Sequence, residues 1–137
     1  MSALLALPES FSPRDLHHPA PPRRDQIEGL REAACRAQAS PRMDLFHACA
    51  LLGLDPDRTA EAFRDALIRT LAQGLGRKAV FYRPGARELS FDEAWIMALI
   101  DAIGRNDEPS VAFLVHSRIA HHARRSVTFL ATGLVRS

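Results

Sequence analysis

Lysine is almost missing from this chain. Of its 18 lysines and arginines only Lys78 is a lysine, which leaves 17 arginines. Arginine is the better two-pronged binder of carboxylate and phosphate. GC-rich codon usage produces the same bias, so the bias alone names no partner. Cysteine is equally scarce. Cys35 and Cys49 are the only two, they form no CxxC, and a disulfide-stapled secreted scaffold is excluded. Both fall in apolar helical patterns and are expected to be reduced, buried small residues.

Long apolar runs are also lacking. No stretch approaches the roughly 18 residues that span a bilayer, and no membrane partner is expected. The apolar start, Met1 to Leu7, has no basic flank and no extended apolar region, so it does not read as a signal peptide. Together these features lead to an expectation of a cytoplasmic protein.

Chemistry-bearing motifs are missing too. There is no HxxxH, HExxH, P-loop, GxGxxG or GxSxG. The neighbours His121 and His122 point in different directions on a helix. His116 and His121 are five apart, and His47 and Cys49 two apart, both poor spacings for a shared metal. No metal, cofactor or catalytic residue is expected. The acids Asp55, Asp57, Asp92, Glu93, Asp107 and Glu108 stand at helix starts, where capping and the helix dipole account for them.

What is present points to helices. With 137 residues, 47% hydrophobic and 25% charged, the chain can bury one domain's core unaided. The reading is all-α: a compact five- or six-helix bundle over 25–137, preceded by a proline-rich arm over 1–24. That arm holds Pro8, Pro13, Pro19, Pro21 and Pro22, five of the nine prolines, and proline disfavours helix interiors. Its apolar residues Leu4, Leu5, Leu7, Phe11 and Leu16 suit a cover for a partner's surface, or simply a frayed end.

Helical periodicity predicts a first helix from Asp25 to Ala39 through Ile27, Leu30, Ala34 and Ala37. A second, from Arg42 to Leu52, is apolar all round and is expected at the centre. A third starts with Asp55 as cap and Pro56 at the first helical position. It buries Phe63, Ala66, Leu67, Thr70 and Leu71, carries an outward Asp65–Arg69 pair, and stops at Gly74 and Gly76. Ala79 to Arg83 reads as extended linker or a minor hairpin with Leu89. Ser90-Phe91-Asp92-Glu93 is a capping box that opens a helix with Phe91, Trp95, Ala98, Leu99, Ala102 and Ile103 on its buried face. Asn106-Asp107-Glu108-Pro109 combines a stop and a start. A short helix carrying Val111, Leu114 and Val115 follows. The last helix, from about Ala120, has its stripe at Ala123, Val127, Leu130 and Leu134.

One region bends the local rules. His116 to Arg125 contains three histidines and three arginines, and no acid follows Glu108. Residues 109–137 carry four arginines, a net +4, whereas residues 1–108 carry 14 bases and 16 acids, a net −2. His121, Arg124, Arg125 and Thr128 share a helix face. Like charges at that spacing repel, and cations early in a helix oppose its dipole. Something acidic is expected to answer the cluster: acids of the chain itself, an acidic partner protein, or a phosphate backbone.

The functional expectation is therefore a non-enzymatic regulatory or adaptor protein. It would bind a protein partner through Arg118, His121, Arg124 and Arg125. The alternative is a transcription-related DNA binder using that basic segment, or a degenerate helix-turn-helix around Leu52-Gly53-Leu54. Against the latter, the would-be recognition helix opens with Asp55, Asp57 and Glu61. An enzyme or metal protein with an unrecognised site ranks third. The sequence sets no oligomeric state.

Overall fold

The computed structural model describes residues 21–39 and 56–137, with side chains at 24–39 and 59–137. The proline-rich arm up to residue 20, the apolar segment from Arg42 to Leu52, and the Leu52-Gly53-Leu54 turn lie outside the described residues. Five α-helices and no strand are found among them. They are α1 (Pro21–Ala39), α2 (Pro56–Leu75), α3 (Phe91–Gly104), α4 (Glu108–Arg118) and α5 (His121–Arg136).

α1 begins at Pro21, four residues before the expected start. Its first turn holds Pro21 and Pro22, where the missing amide hydrogens would have had no helical partner. α2 starts at Pro56, as the cap-and-proline signal indicates. It ends at Leu75, and Gly76 follows at φ +75°, a left-handed position that glycine occupies without strain.

The capping box of α3 is formed. Glu93 N–H donates to Ser90 Oγ at 3.0 Å, and Ser90 N–H donates to Glu93 Oε1 at 2.8 Å. The far end of α3 closes with Asn106 at φ 57°, Asp107 N–H donating to Ala102 O and Asn106 N–H to Ile103 O. This paired arrangement satisfies carbonyls that the last turn leaves free. Asp107 then caps α4 through Ser110.

α2 and α5 form the longest contact, running antiparallel. Gly74 of α2 meets Ile119 and Ala123, while Gly133 of α5 meets Phe63. A Cβ on Gly74 would stand 2.9 Å from Ile119 Cγ2, so a bare backbone is what lets the two helices approach. The stripe Ala123, Val127, Leu130 and Leu134 is buried there against Leu67 and Leu71. α1 packs on α2, and the antiparallel pair α3 and α4 packs on α5.

α3 is the most enclosed described helix. Trp95, Ile96, Met97, Leu99, Ile100 and Ala102 are buried on it. The Trp95 indole N–H donates to Leu114 O at 3.1 Å.

Three local expectations are corrected. Phe91 leaves the buried face and is 76% exposed, whereas its neighbours Asp92 and Glu93 take the inward positions of that first turn. Cys35 is exposed, since it falls on the outer face of α1, away from the stripe of Ile27 and Leu30. Asp65 is buried rather than outward. It accepts from Arg36 Nη2 at 2.8 Å and thereby ties α2 to α1.

The irregular segment between Gly76 and Ser90 is held by a buried ion pair. Arg31 occupies a core-facing position of α1 and is 1% exposed; Glu93 is fully buried. Arg31 Nε and Nη2 donate to the two oxygens of Glu93 at 2.7 and 3.1 Å. Its remaining N–H groups reach Glu28, Ala86 O and Glu88 O. All five guanidinium donors are thus used. Glu93 also accepts from the amides of Ser90 and Tyr82, and Glu28 accepts from Gly85 N–H. Removing one member of a buried pair strands the other charge. Glu93→Gln is therefore expected to lower the unfolding free energy by about 3–5 kcal/mol, read from urea titrations. A loss under about 1 kcal/mol would show that Arg31 finds other compensation.

Candidate functional site

The basic residues singled out in the sequence do not form one patch. Arg118, in the last turn of α4, turns inward. Its Nη2 donates to Asp92, and its guanidinium lies 4.7 Å from the Phe91 ring centre and 5.5 Å from that of Trp95. Its buried Nη1 has no hydrogen-bond partner among the described residues. The two aromatic rings provide the remaining electrostatic attraction. An acid of the chain itself therefore answers Arg118.

Asp92 is the centre of this second cluster. Arg77 donates to both of its oxygens at 2.8 and 3.0 Å, and Val80 N–H donates at 2.6 Å. The Arg77 guanidinium, then the Val80 amide and Arg118, hold the Asp92 carboxyl far below the usual carboxylate range, against the opposing effect of burial.

Arg124 and Arg125 are brought together. They line a groove of about 620 Å³ between α4 and α5. Ile103, Val111, Val115 and Phe129 supply apolar lining, and His116 and Arg136 join the two arginines in the lining. Arg124 Nε donates to Ile119 O at 2.9 Å, which steadies its side chain. Arg125 and Arg136 are exposed and meet no acid among the described residues. His121 is exposed but does not line the groove.

Asp107 and Glu108, at the start of α4, form the acidic part of the lining. The Asp107 carboxylate is engaged by the Ser110 hydroxyl at 2.6 Å, and that contact lowers its pKa.

Arg136 and Phe129 were not among the sequence candidates, yet a signal existed. Arg125, Phe129, Thr132 and Arg136 follow one another at four, seven and eleven residues, the repeat of a single helix face. The groove is that face of α5.

Among the described residues, no group of three or more His, Cys, Asp or Glu side chains could hold a metal ion. No described helix is long and apolar enough to cross a membrane. No protein-family model, no curated protein and no solved structure matches the chain.

The depressed acidity of Asp92 carries a pH signature. A carboxylate with a lowered folded-state pKa stabilises the fold above its unfolded value, near pH 4. That stabilisation disappears as pH falls from there toward the folded-state value. Asp92→Asn is expected to be clearly less stable than the parent at pH 6. The gap should narrow steadily in urea titrations between pH 5 and pH 2. A pH-independent gap would contradict the ion-pair account of Asp92.

Proposed function

We propose that this chain is a non-enzymatic regulatory or adaptor protein whose protein partner docks in the groove between α4 and α5. The observation that carries the reading is the makeup of that groove: apolar lining at Ile103, Val111, Val115 and Phe129 combined with Arg124, Arg125 and Arg136. An amphipathic helix suits such a cleft, its apolar side against the lining and an acidic edge toward the arginines. The exposed Phe129 offers a large apolar anchor at the docking surface.

The remaining basic residues support a restricted contact rather than a broad one. Arg118 is neutralised by Asp92, and the groove includes Asp107 and Glu108. A phosphate backbone favours an uninterrupted positive track, whereas a helix with acids on one edge matches a cleft of mixed sign.

The test is a pair of substitutions read against salt. With a partner isolated on the intact protein, Phe129→Ala and Arg125→Glu are each expected to weaken binding about tenfold or more. The complex should survive about 0.15 M salt, where exposed charges more than about 8 Å apart are largely screened. Arg125→Glu should leave thermal stability within about 0.5 kcal/mol of the parent, as exposed substitutions do. Strong retention on duplex DNA with a steep salt dependence, indifferent to Phe129→Ala, would transfer the groove to nucleic acid and overturn the proposal.

A further inference from the structure

The segment between α2 and α3 presents a second surface, of a different kind. Val80 N–H donates to Asp92, and Tyr82 N–H donates to Glu93, so alternate amides point to the start of α3. Val80 O, on the same side, accepts from the Ser90 hydroxyl. A period of two in hydrogen bonding is the mark of extended backbone. The side chains alternate as well. Ala79 and Phe81 pack against the core, whereas Val80 and Tyr82 are 51% and 41% exposed.

The opposite edge of this extended stretch belongs to Ala79 and Phe81. Their main-chain N–H and C=O groups make no hydrogen bond to any described residue. Unpaired groups in a row are a template for an added strand. Buried acceptors, Asp92 and Glu93, fix the stretch from behind, so little ordering cost remains to be met on binding.

Charge selects the occupant. Lys78 and Arg83, which flank the edge in sequence, are exposed, as is Arg87 beyond the turn, and Glu88 is the one exposed acid between Arg77 and Phe91. A second copy is disfavoured. The two-fold antiparallel register that uses Ala79 and Phe81 on both strands is centred on Val80, and it sets Arg77 opposite Arg83. Arg77 is committed to Asp92, so this pairing offers Arg83 no acid, whereas an acidic strand does. We infer that the Ala79–Phe81 edge accepts an extended acidic peptide segment of a partner protein as an added β-strand.

The probe is a fluorescent peptide of alternating glutamate and valine, titrated into the full chain and followed by anisotropy. Its control is the same peptide methylated on every backbone nitrogen, which keeps the side chains and charge but has no amide donors. The unmodified peptide is expected to bind, and the methylated one to bind at least tenfold more weakly. Ala79→Pro removes one outward N–H without touching the Val80 or Tyr82 amides, and should weaken binding. Should that variant fail to fold, Lys78→Glu with Arg83→Glu, both at exposed positions, should weaken the peptide by about tenfold. Equal binding of the two peptides would reduce the effect to charge and overturn the inference. No binding of either would overturn it too. Concentration-dependent dimerisation in light scattering, abolished by Ala79→Pro, would assign the edge to a second copy and likewise overturn it.

Discussion

The structure depends on a charge that has to be buried. Arg31 stands where α1 faces the core, beside Ile27 and Leu30, and is 1% exposed to solvent. A guanidinium in that position is tolerable only if every donor is met and its charge is cancelled. Glu93 cancels it, and Glu28, Ala86 O and Glu88 O take the remaining donors. Because two of those acceptors are backbone carbonyls of the irregular segment, the ion pair also dictates the path of the chain between α2 and α3. Asp92 repeats the principle one residue away, with Arg77, Arg118 and Val80 N–H as its partners.

Two groups of arginines stand apart in this arrangement. Arg31, Arg36, Arg77 and Arg118 are joined to acids of the chain and hold elements together. Arg125 and Arg136 are exposed on α5 and, with the partly buried Arg124, border a cleft with apolar lining. The charge polarity along the sequence thus has two outcomes. Part of the carboxy-terminal positive charge is consumed by the amino-terminal acid excess, through Arg118 and Asp92. The remainder stays available on one helix face, and that remainder is the basis of the proposed docking site.

Local signals in the sequence carried most of the helical layout, because caps and stripes are local. Ser90 and Glu93 form their box, Asn106 and Asp107 close one helix and open the next, and the stripe from Ala123 to Leu134 is buried. The ion pair was harder to foresee, since Arg31 and Glu93 are 62 residues apart. A clue lay in the stripe itself: Arg31 follows Ile27 by four residues, so a cation sat on the apolar face. The capping signal explains the bond of Glu93 to Ser90 N–H but carries no trace of its pairing with Arg31. The candidate site was half legible. The helix face of Arg124 and Arg125 could be read by periodicity, but the inward turn of Arg118 could not, because it depends on Phe91, Asp92 and Trp95 of another helix.

A segment without regular secondary structure thus belongs to the cooperative core, because buried carboxylates hold its amides. Native-state hydrogen exchange tests this directly. The amides of Val80, Tyr82 and Ser90 should exchange only through global unfolding, with the same free energy as the amides in the middle of α3. Exchange of those three amides by a local opening several kcal/mol cheaper than global unfolding would contradict the account.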